Sequence, residues 1–217
     1  MPVITIGRQF GAGATVVGEM LARELHADLL ESRIIDEVAQ RLQLPKEEVE
    51  AEDEQPGSLL HRLLMALGSA SGEPMIQPEA TAWNPPNVDP VLDPVFDARR
   101  AVLAITQQVI KEAARAGNVV IVGRGGAYIL SDFKGALHVY LRAAEASRVQ
   151  AVMARRSISE EQARRLLKQT DENWSAYIKQ VYGHDRNLPS HYDLVLDTGR
   201  LGYETTVATI VAAAASR

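Results

Sequence analysis

Gly11, Ala12, Gly13, Ala14 and Thr15 follow directly on the apolar run Val3-Ile4-Thr5-Ile6 and its polar end Arg8-Gln9. A glycine-rich turn between a β-branched strand and a helix can aim several backbone N–H groups at one point. Such a concave set holds a polyanion, phosphate above all, without any side-chain charge. The strict pattern G-x-x-x-x-G-K-[ST] would put glycine at Arg8 and lysine at Ala14, which leaves Gly13 and Thr15 in register. The cations that a transferring phosphoryl group needs must then come from elsewhere in the chain. Arg124 is one source. It sits among Gly123, Gly125 and Gly126 after the branched run Val119-Val120-Ile121-Val122, where it either grips a phosphate or carboxylate bidentately or is a solvated turn residue. A second source is the series of six cations from Arg148 through Lys168, which includes Arg155 and Arg156. A helical hairpin carrying them either closes over phosphates as a lid or presents a solvated face paired with Glu160 and Glu161.

The elements that must position these groups alternate. Val3 to Ile6 is a strand, and Val16, Val17, Met20, Leu21 and Leu25 mark the helix that follows. Residues 26–32 read as a second strand, and Ile34, Ile35, Val38 and Leu42 as its helix, so Ser32 and Arg33 stand at a junction facing the crevice. There Ser32 either caps the helix or touches a ligand. Residues 45–97 differ in character, with an acidic patch, a helix marked by Leu59, Leu60, Leu63, Leu64 and Leu67, and then a proline-rich stretch. They read as a flap or insertion, in which Trp83 and Phe96 either stack on a base or pack the flap to the core. A helix over 98–116, a strand over 118–122, a strand over 137–141, a helix over 144–156 and a helix capped by Ser159 and Gln162 come next. A fifth strand over 192–198 and a closing helix over 204–215 end the chain. This alternation predicts a parallel sheet with helices on both faces.

The whole chain sets bounds. Its 217 residues, 46% apolar and 24% charged, fit one globular domain. The net charge of −5 gives no pull toward nucleic acid or an anionic membrane, so neither is expected as a partner. Without cysteine there is no disulfide or thiolate metal site, and the five histidines lack metal-ligand spacing. No leader or membrane-spanning run is apparent, and a cytoplasmic protein is expected. A dinucleotide fold is disfavoured, because Arg8-Gln9-Phe10 separates Gly7 from Gly11 and G-x-G-x-x-G is absent.

With these pieces in order, the chain resembles the cytidylate kinase-like family of P-loop nucleoside monophosphate kinases over most of its length. The resemblance rests on residues 4–13, on Leu29-Leu30-Glu31-Ser32, on Gly123-Arg124-Gly125-Gly126, and on the stretch from Ser159 through Asp171 to Val195. It implies an α/β fold of the P-loop NTPase type, three-layered α/β/α, with a five-stranded parallel sheet of order 2-3-1-4-5, a helical insertion and a helical lid. A single kinase-like domain would span 1–217, with 45–97 as the monophosphate-binding flap and about 155–168 as the lid. The activity implied is transfer of the γ-phosphoryl group of ATP to CMP or dCMP with Mg²⁺.

Carried over, Gly11, Ala12, Gly13, Ala14 and Thr15 would bind the ATP phosphates, and the Thr15 hydroxyl would meet the metal. Ser32, Arg33, Arg124 and Gly125 would hold the monophosphate. Arg155 and Arg156 look like lid arginines, Asp171 like the carboxylate that orders them, and Arg8 would join them in supplying the charge that Ala14 lacks. The family pattern has lysine at Ala14, aspartate at Gly125 and arginine at Trp174. Those departures keep two alternatives open: a nucleotide-binding regulatory module that has lost transfer activity, and a kinase of another small acceptor.

Overall fold

The structure, a computed structural model, describes residues 1–31, 33–42 and 94–217, with only the backbone of 94–100. Ser32, most of the flap, its leucine-marked helix, Trp83 and the Phe96 side chain lie outside the described residues.

Strand β1 (Val3–Arg8) leads into α1 (Ala14–Glu24), then β2 (Asp28–Leu30) and α2 (Arg33–Leu42). After these come α3 (Pro94–Ala116), β3 (Val119–Val122) and the short α4 (Gly126–Ile129). Strand β4 (Ala136–Arg142) precedes the helical pair α5 (Glu145–Arg156) and α6 (Glu160–Tyr182). Strand β5 (Leu194–Asp197) and α7 (Thr198–Ala215) close the chain. The described strands form one parallel sheet, as the alternation predicts, in the order β2-β3-β1-β4-β5 that the resemblance implies.

The branched runs explain the sheet's centre. In β3, Val119 and Ile121 face one core with α2 and α3 residues such as Ile34, Val38 and Ile110. Val120 and Val122 face the other, with Val17 and Leu21 of α1 and Ile210 of α7. A strand covered on both faces needs apolar side chains at every position, which is why it shows no alternation. Thr5 is the exception in β1: it is buried, and its hydroxyl meets His138 Nδ1 of β4 at 2.8 Å. Helices α5 and α6 enclose a small core of their own, Val149, Val152, Ala163 and Leu167, against which Phe10 packs. The capping box at Ser159 is present: its hydroxyl accepts from Gln162 N, and the Gln162 side chain accepts from Ser159 N.

Several boundaries differ from expectation; helix α3, for one, starts at Pro94, inside the expected flap. The second strand is confined to Asp28–Leu30, because His26 takes a left-handed turn (φ 48). Strand β5 ends at Asp197, whose side chain caps α7 by accepting from Arg200 N, so Thr198 belongs to the helix. Helix α7 therefore starts before residue 204 and kinks at Gly202 (φ 75, ψ 165). Val16, read as part of an apolar face, is 39% exposed.

Candidate functional site

The loop from Gln9 to Gly13 joins the central strand to α1. Gly11 and Gly13 both have left-handed backbones (φ 80 and φ 78), which glycine adopts without a Cβ penalty. Gly13 also lacks room for a side chain, since a Cβ there would lie 2.3 Å from the Tyr203 ring. The first helical bond of α1 runs from Val17 N to the Gly13 carbonyl, so the N–H groups of the preceding turn open at the helix N-terminus. One loop amide is spent internally. Ala12 N–H donates to the Gln9 carbonyl at 3.2 Å, and Ala12 is buried, so the loop's anion-facing donors are drawn from the other residues of 11–15.

Four side-chain hydrogen bonds pin this loop to distant elements. Ala143 N donates to Gln9 Oε1 at 3.2 Å. The Thr198 hydroxyl lies 2.9 Å from the Ala12 carbonyl and 3.2 Å from that of Arg142. Asp171 and Arg148 grip Phe10 from both sides: Phe10 N–H donates to Asp171 Oδ1 at 2.9 Å, and Arg148 Nη1 donates to the Phe10 carbonyl at 3.1 Å. Arg148 and Asp171 in turn pair at 2.6 Å.

Asp171 was expected to order Arg155 and Arg156. Its partners are instead Arg148 and the buried Arg186, whose Nη2 lies 3.2 Å from Asp171 Oδ1. The same nitrogen donates to the Arg8 carbonyl at 2.6 Å, and the guanidinium is 4% exposed. Arg155 and Arg156 lie exposed at the end of α5, where the chain can solvate them, and Arg156 stands 5.5 Å over the Phe10 ring. The remaining hairpin cations satisfy the solvated reading. Arg164 pairs with Glu160 and Glu145, Arg165 with Glu161, and Lys168 with Glu172.

At the carboxyl ends of β1 and β3 lies a cavity of about 60 Å³, lined by Arg8, Arg124, Arg186, Trp174 and the rings of Tyr140 and Tyr192 among others. Arg124 takes a left-handed backbone (φ 56) between Gly123 and Gly125, which turns the chain sharply at the strand end. Gly125 is left-handed too, and the Tyr182 ring packs on it. Tyr182 stacks on Tyr128 at 5.4 Å, and the Tyr128 and Tyr192 hydroxyls meet at 3.1 Å. Burial pushes all three phenols up, so they stand as neutral hydrogen-bonding groups beside the arginines. A second hollow, about 340 Å³, lies on the other side of the loop between Gly11, Ser147, Thr198 and Tyr203.

Arg33 is not brought to this cavity. It starts α2, is largely exposed, and stands 3.6 Å from Asp28. The Thr15 hydroxyl donates to Glu31 Oε1 at 2.9 Å, which joins the first turn of α1 to the end of β2. These are hard oxygen donors, and Mg²⁺ is ordinarily held by one or two carboxylates together with substrate phosphates, so the pair fits that ion. Among the described residues there is no cluster of three or more histidine, cysteine or acidic side chains able to hold a metal by themselves.

Sequence reading passed over Arg186, Tyr203 and the inward role of Arg148. Arg148 was counted only as one of a basic series, although it adjoins the buried Val149 and Val152 of α5. Arg186 lies in an irregular connection, where no periodicity marks burial.

Known proteins resemble this chain in sequence and in fold. A cytidylate kinase of Methanopyrus kandleri is 34% identical over 111 residues, 48% of this chain and 58% of that protein. A cytidylate kinase of Pyrobaculum islandicum is 29% identical over 208 residues, 95% of this chain and 89% of that one. The chain thus spans only 58% of the length of the Methanopyrus relative. The solved structure of an uncharacterised protein from Eubacterium ventriosum aligns over 100% of both chains at TM-score 0.68 and 19% identity, which shows the common fold. Among the described residues no helix is long and apolar enough to cross a membrane. The model of one family, described as cytidylate kinase-like, matches residues 3–200, nearly the whole length, and the chain belongs to that family.

Proposed function

We propose that this chain transfers the γ-phosphoryl group of ATP to a nucleoside monophosphate, with CMP or dCMP as acceptor. The observation that carries the reading is the placing of two arginines, Arg8 and Arg124, in one cavity at the carboxyl ends of the adjacent strands β1 and β3, the first of which runs on into the Gly11–Thr15 loop. The cytidylate kinases among its relatives support the acceptor.

In this reading the amides of Gly11, Gly13, Ala14 and Thr15 hold the donor phosphates, and the hollow beside Tyr203 takes the donor's base. Arg124 holds the acceptor phosphate and Gly125 gives the turn its sharpness; Ser32 would contact the acceptor as well, whereas Arg33 turns toward Asp28. An oxygen of the acceptor phosphate attacks the γ-phosphorus, the bond to the β–γ bridging oxygen breaks, and ADP leaves with that electron pair. Little covalent work falls to the protein; alignment and positive charge carry the reaction. Arg8, Arg155 and Arg156 supply charge where lysine is missing at Ala14, and Asp171 keeps the loop in place through Phe10. Thr15, with Glu31 behind it as acceptor of its hydroxyl proton, would hold Mg²⁺, which when bound neutralises charge on the phosphates. Residues 45–97 form the acceptor flap and about 155–168 the lid of one domain over 1–217.

Pure protein with ATP, Mg²⁺ and a panel of nucleoside monophosphates should yield the diphosphate, CDP fastest, by chromatography. No diphosphate from any acceptor overturns the reading. One observation favours a second: Gly125 and Trp174 stand where the family pattern has a charged residue. A regulatory module that binds nucleotide without turning it over would show affinity by calorimetry and no product.

A further inference from the structure

Trp174 lies where the family pattern calls for a phosphate-contacting arginine, and the structure shows what this chain does there. The indole carries two guanidiniums. Arg8 Cζ stands 4.5 Å from the ring centroid and Arg186 Cζ 5.3 Å from it. The Phe10 ring meets its edge at 6.4 Å and 85°. Arg186 is buried, and it donates to the Arg8 and Asp171 carbonyls, to Asp171 Oδ1 and to the Tyr140 hydroxyl. Its position is set by hydrogen bonds. Arg8 reaches across from β1 to the β3 turn, where its Nη1 would lie 2.2 Å from a Cβ built on Gly123. A long side chain at a strand end has many rotamers, and a flat aromatic face selects those that lay the guanidinium along it.

We propose that Trp174 is a positioning residue for Arg8: by stacking, it lays the Arg8 guanidinium against the Gly123–Arg124 turn and lines the arginines up on one anion. The proposal rests on the phosphoryl-transfer reading for the identity of that anion, a nucleotide phosphate. Arg148 and Arg186 pair with one carboxylate, Asp171, and Arg186 shares the indole with Arg8. Trp174 sits one helical turn after Asp171 on α6, so the residue that fixes the loop and the residue that fixes Arg8 ride on one element.

The test uses a Trp83→Phe reference, in which Trp174 is the one remaining indole of the two in the chain. Affinity for CMP and for ATP with Mg²⁺ is measured by calorimetry in this reference and in Trp174→Phe, Trp174→Leu, Arg8→Met and the Trp174→Leu, Arg8→Met double variant. The expected result is about a tenfold weaker affinity for Trp174→Leu, recovery to within about threefold by Trp174→Phe, and a double variant no weaker than Arg8→Met alone. Equal affinity of Trp174→Leu and reference, or fully additive losses, would overturn the proposal. Should Trp174→Leu fail to fold, Trp174 emission decides: it should respond to saturating CMP in the reference and not in Arg8→Met, and a response unchanged by Arg8→Met refutes the stack. Absence of turnover in a protein that binds nucleotide sinks the kinase reading and leaves this test intact. If no nucleotide binds, the kinase reading falls, and the stack is judged by whether Arg8→Met alters the emission of the free protein; unaltered emission refutes it.

Discussion

The ring of Tyr182 occupies the space that a side chain at Gly125 would need: a Cβ built there lies 2.6 Å from Tyr182 Cε2. The glycine and the tyrosine are therefore one feature, and the aspartate of the family pattern does not fit while that ring is in place. Gly125→Ala should lose about 2 kcal/mol of stability, part from the left-handed backbone (φ 70) and part from the collision. Urea denaturation in a Tyr182→Leu background checks the division, since there only about 1 kcal/mol should remain.

Asp171 holds a backbone amide and two guanidiniums at once. Asp171→Asn keeps the shape and removes the charge, leaving Arg148 and Arg186 without their carboxylate. Removing one partner of a buried pair typically costs about 3–5 kcal/mol; Asp171 is 25% exposed, so about 2–3 kcal/mol is expected, with weaker nucleotide binding as the loop loosens. Equilibrium unfolding and calorimetry measure the two effects.

Glu31 takes the proton side of the Thr15 hydroxyl and leaves that oxygen's lone pairs available. Glu31→Gln should raise the Mg²⁺ concentration for half-maximal turnover by about 10- to 100-fold, the usual range for a partner behind a metal ligand. Thr15→Ser should stay near the parent and Thr15→Val should lose the Mg²⁺ response. A Mg²⁺ titration at fixed ATP and CMP reads all three.

Burial lowers the pKa of His138 below its ordinary 6.5. The native state therefore resists protonation while the unfolded chain accepts it. The stabilising contribution is whole above about pH 6.5 and is lost as pH falls through the lowered native value. Stability should accordingly decline on acidification in that window, and His138→Gln, which keeps a partner for Thr5, should flatten the decline. Asp193, whose pKa is lowered below 3.8 by the His138 backbone N–H and by Arg217, acts at more acid pH and is separable by the same denaturation series.

The proposed acceptor contact, Arg124, is checked more simply. Arg124→Met should reduce kcat/KM by about 100-fold or more, the cost of removing a preorganised charge from a transferring phosphoryl group, while the melting temperature stays close to the parent's. Coupled ADP-release kinetics measure it.

Much of this architecture is legible in local sequence because its causes are local. Four branched residues at 119–122 can only be a strand buried on both faces, and Ser159 with Gln162 announces a helix start that is there. Gly11 and Gly13 mark the loop for the same reason: their left-handed backbones are a property of single residues. Charge assignments fared differently. Glu160, four residues before Arg164, marks that arginine for the surface, but nothing beside Arg148 announces Asp171, and one lies on the surface while the other lies under the loop. That difference comes from the packing of α5 on α6 and of both on Phe10, which spacing along one helix does not encode. Arg186 and the Gly202 kink belong to connections, where no repeat exists to be read.

The kink at Gly202 sets Tyr203 on Gly13, and Thr198 at the head of the same helix holds the Ala12 carbonyl. The loop is thus completed by residues that lie far along the chain, 186 positions from Ala12 in the case of Thr198. A chain lacking α7 would carry every glycine of the loop and still leave its shape unfinished, so loss of that helix is also a loss of loop geometry.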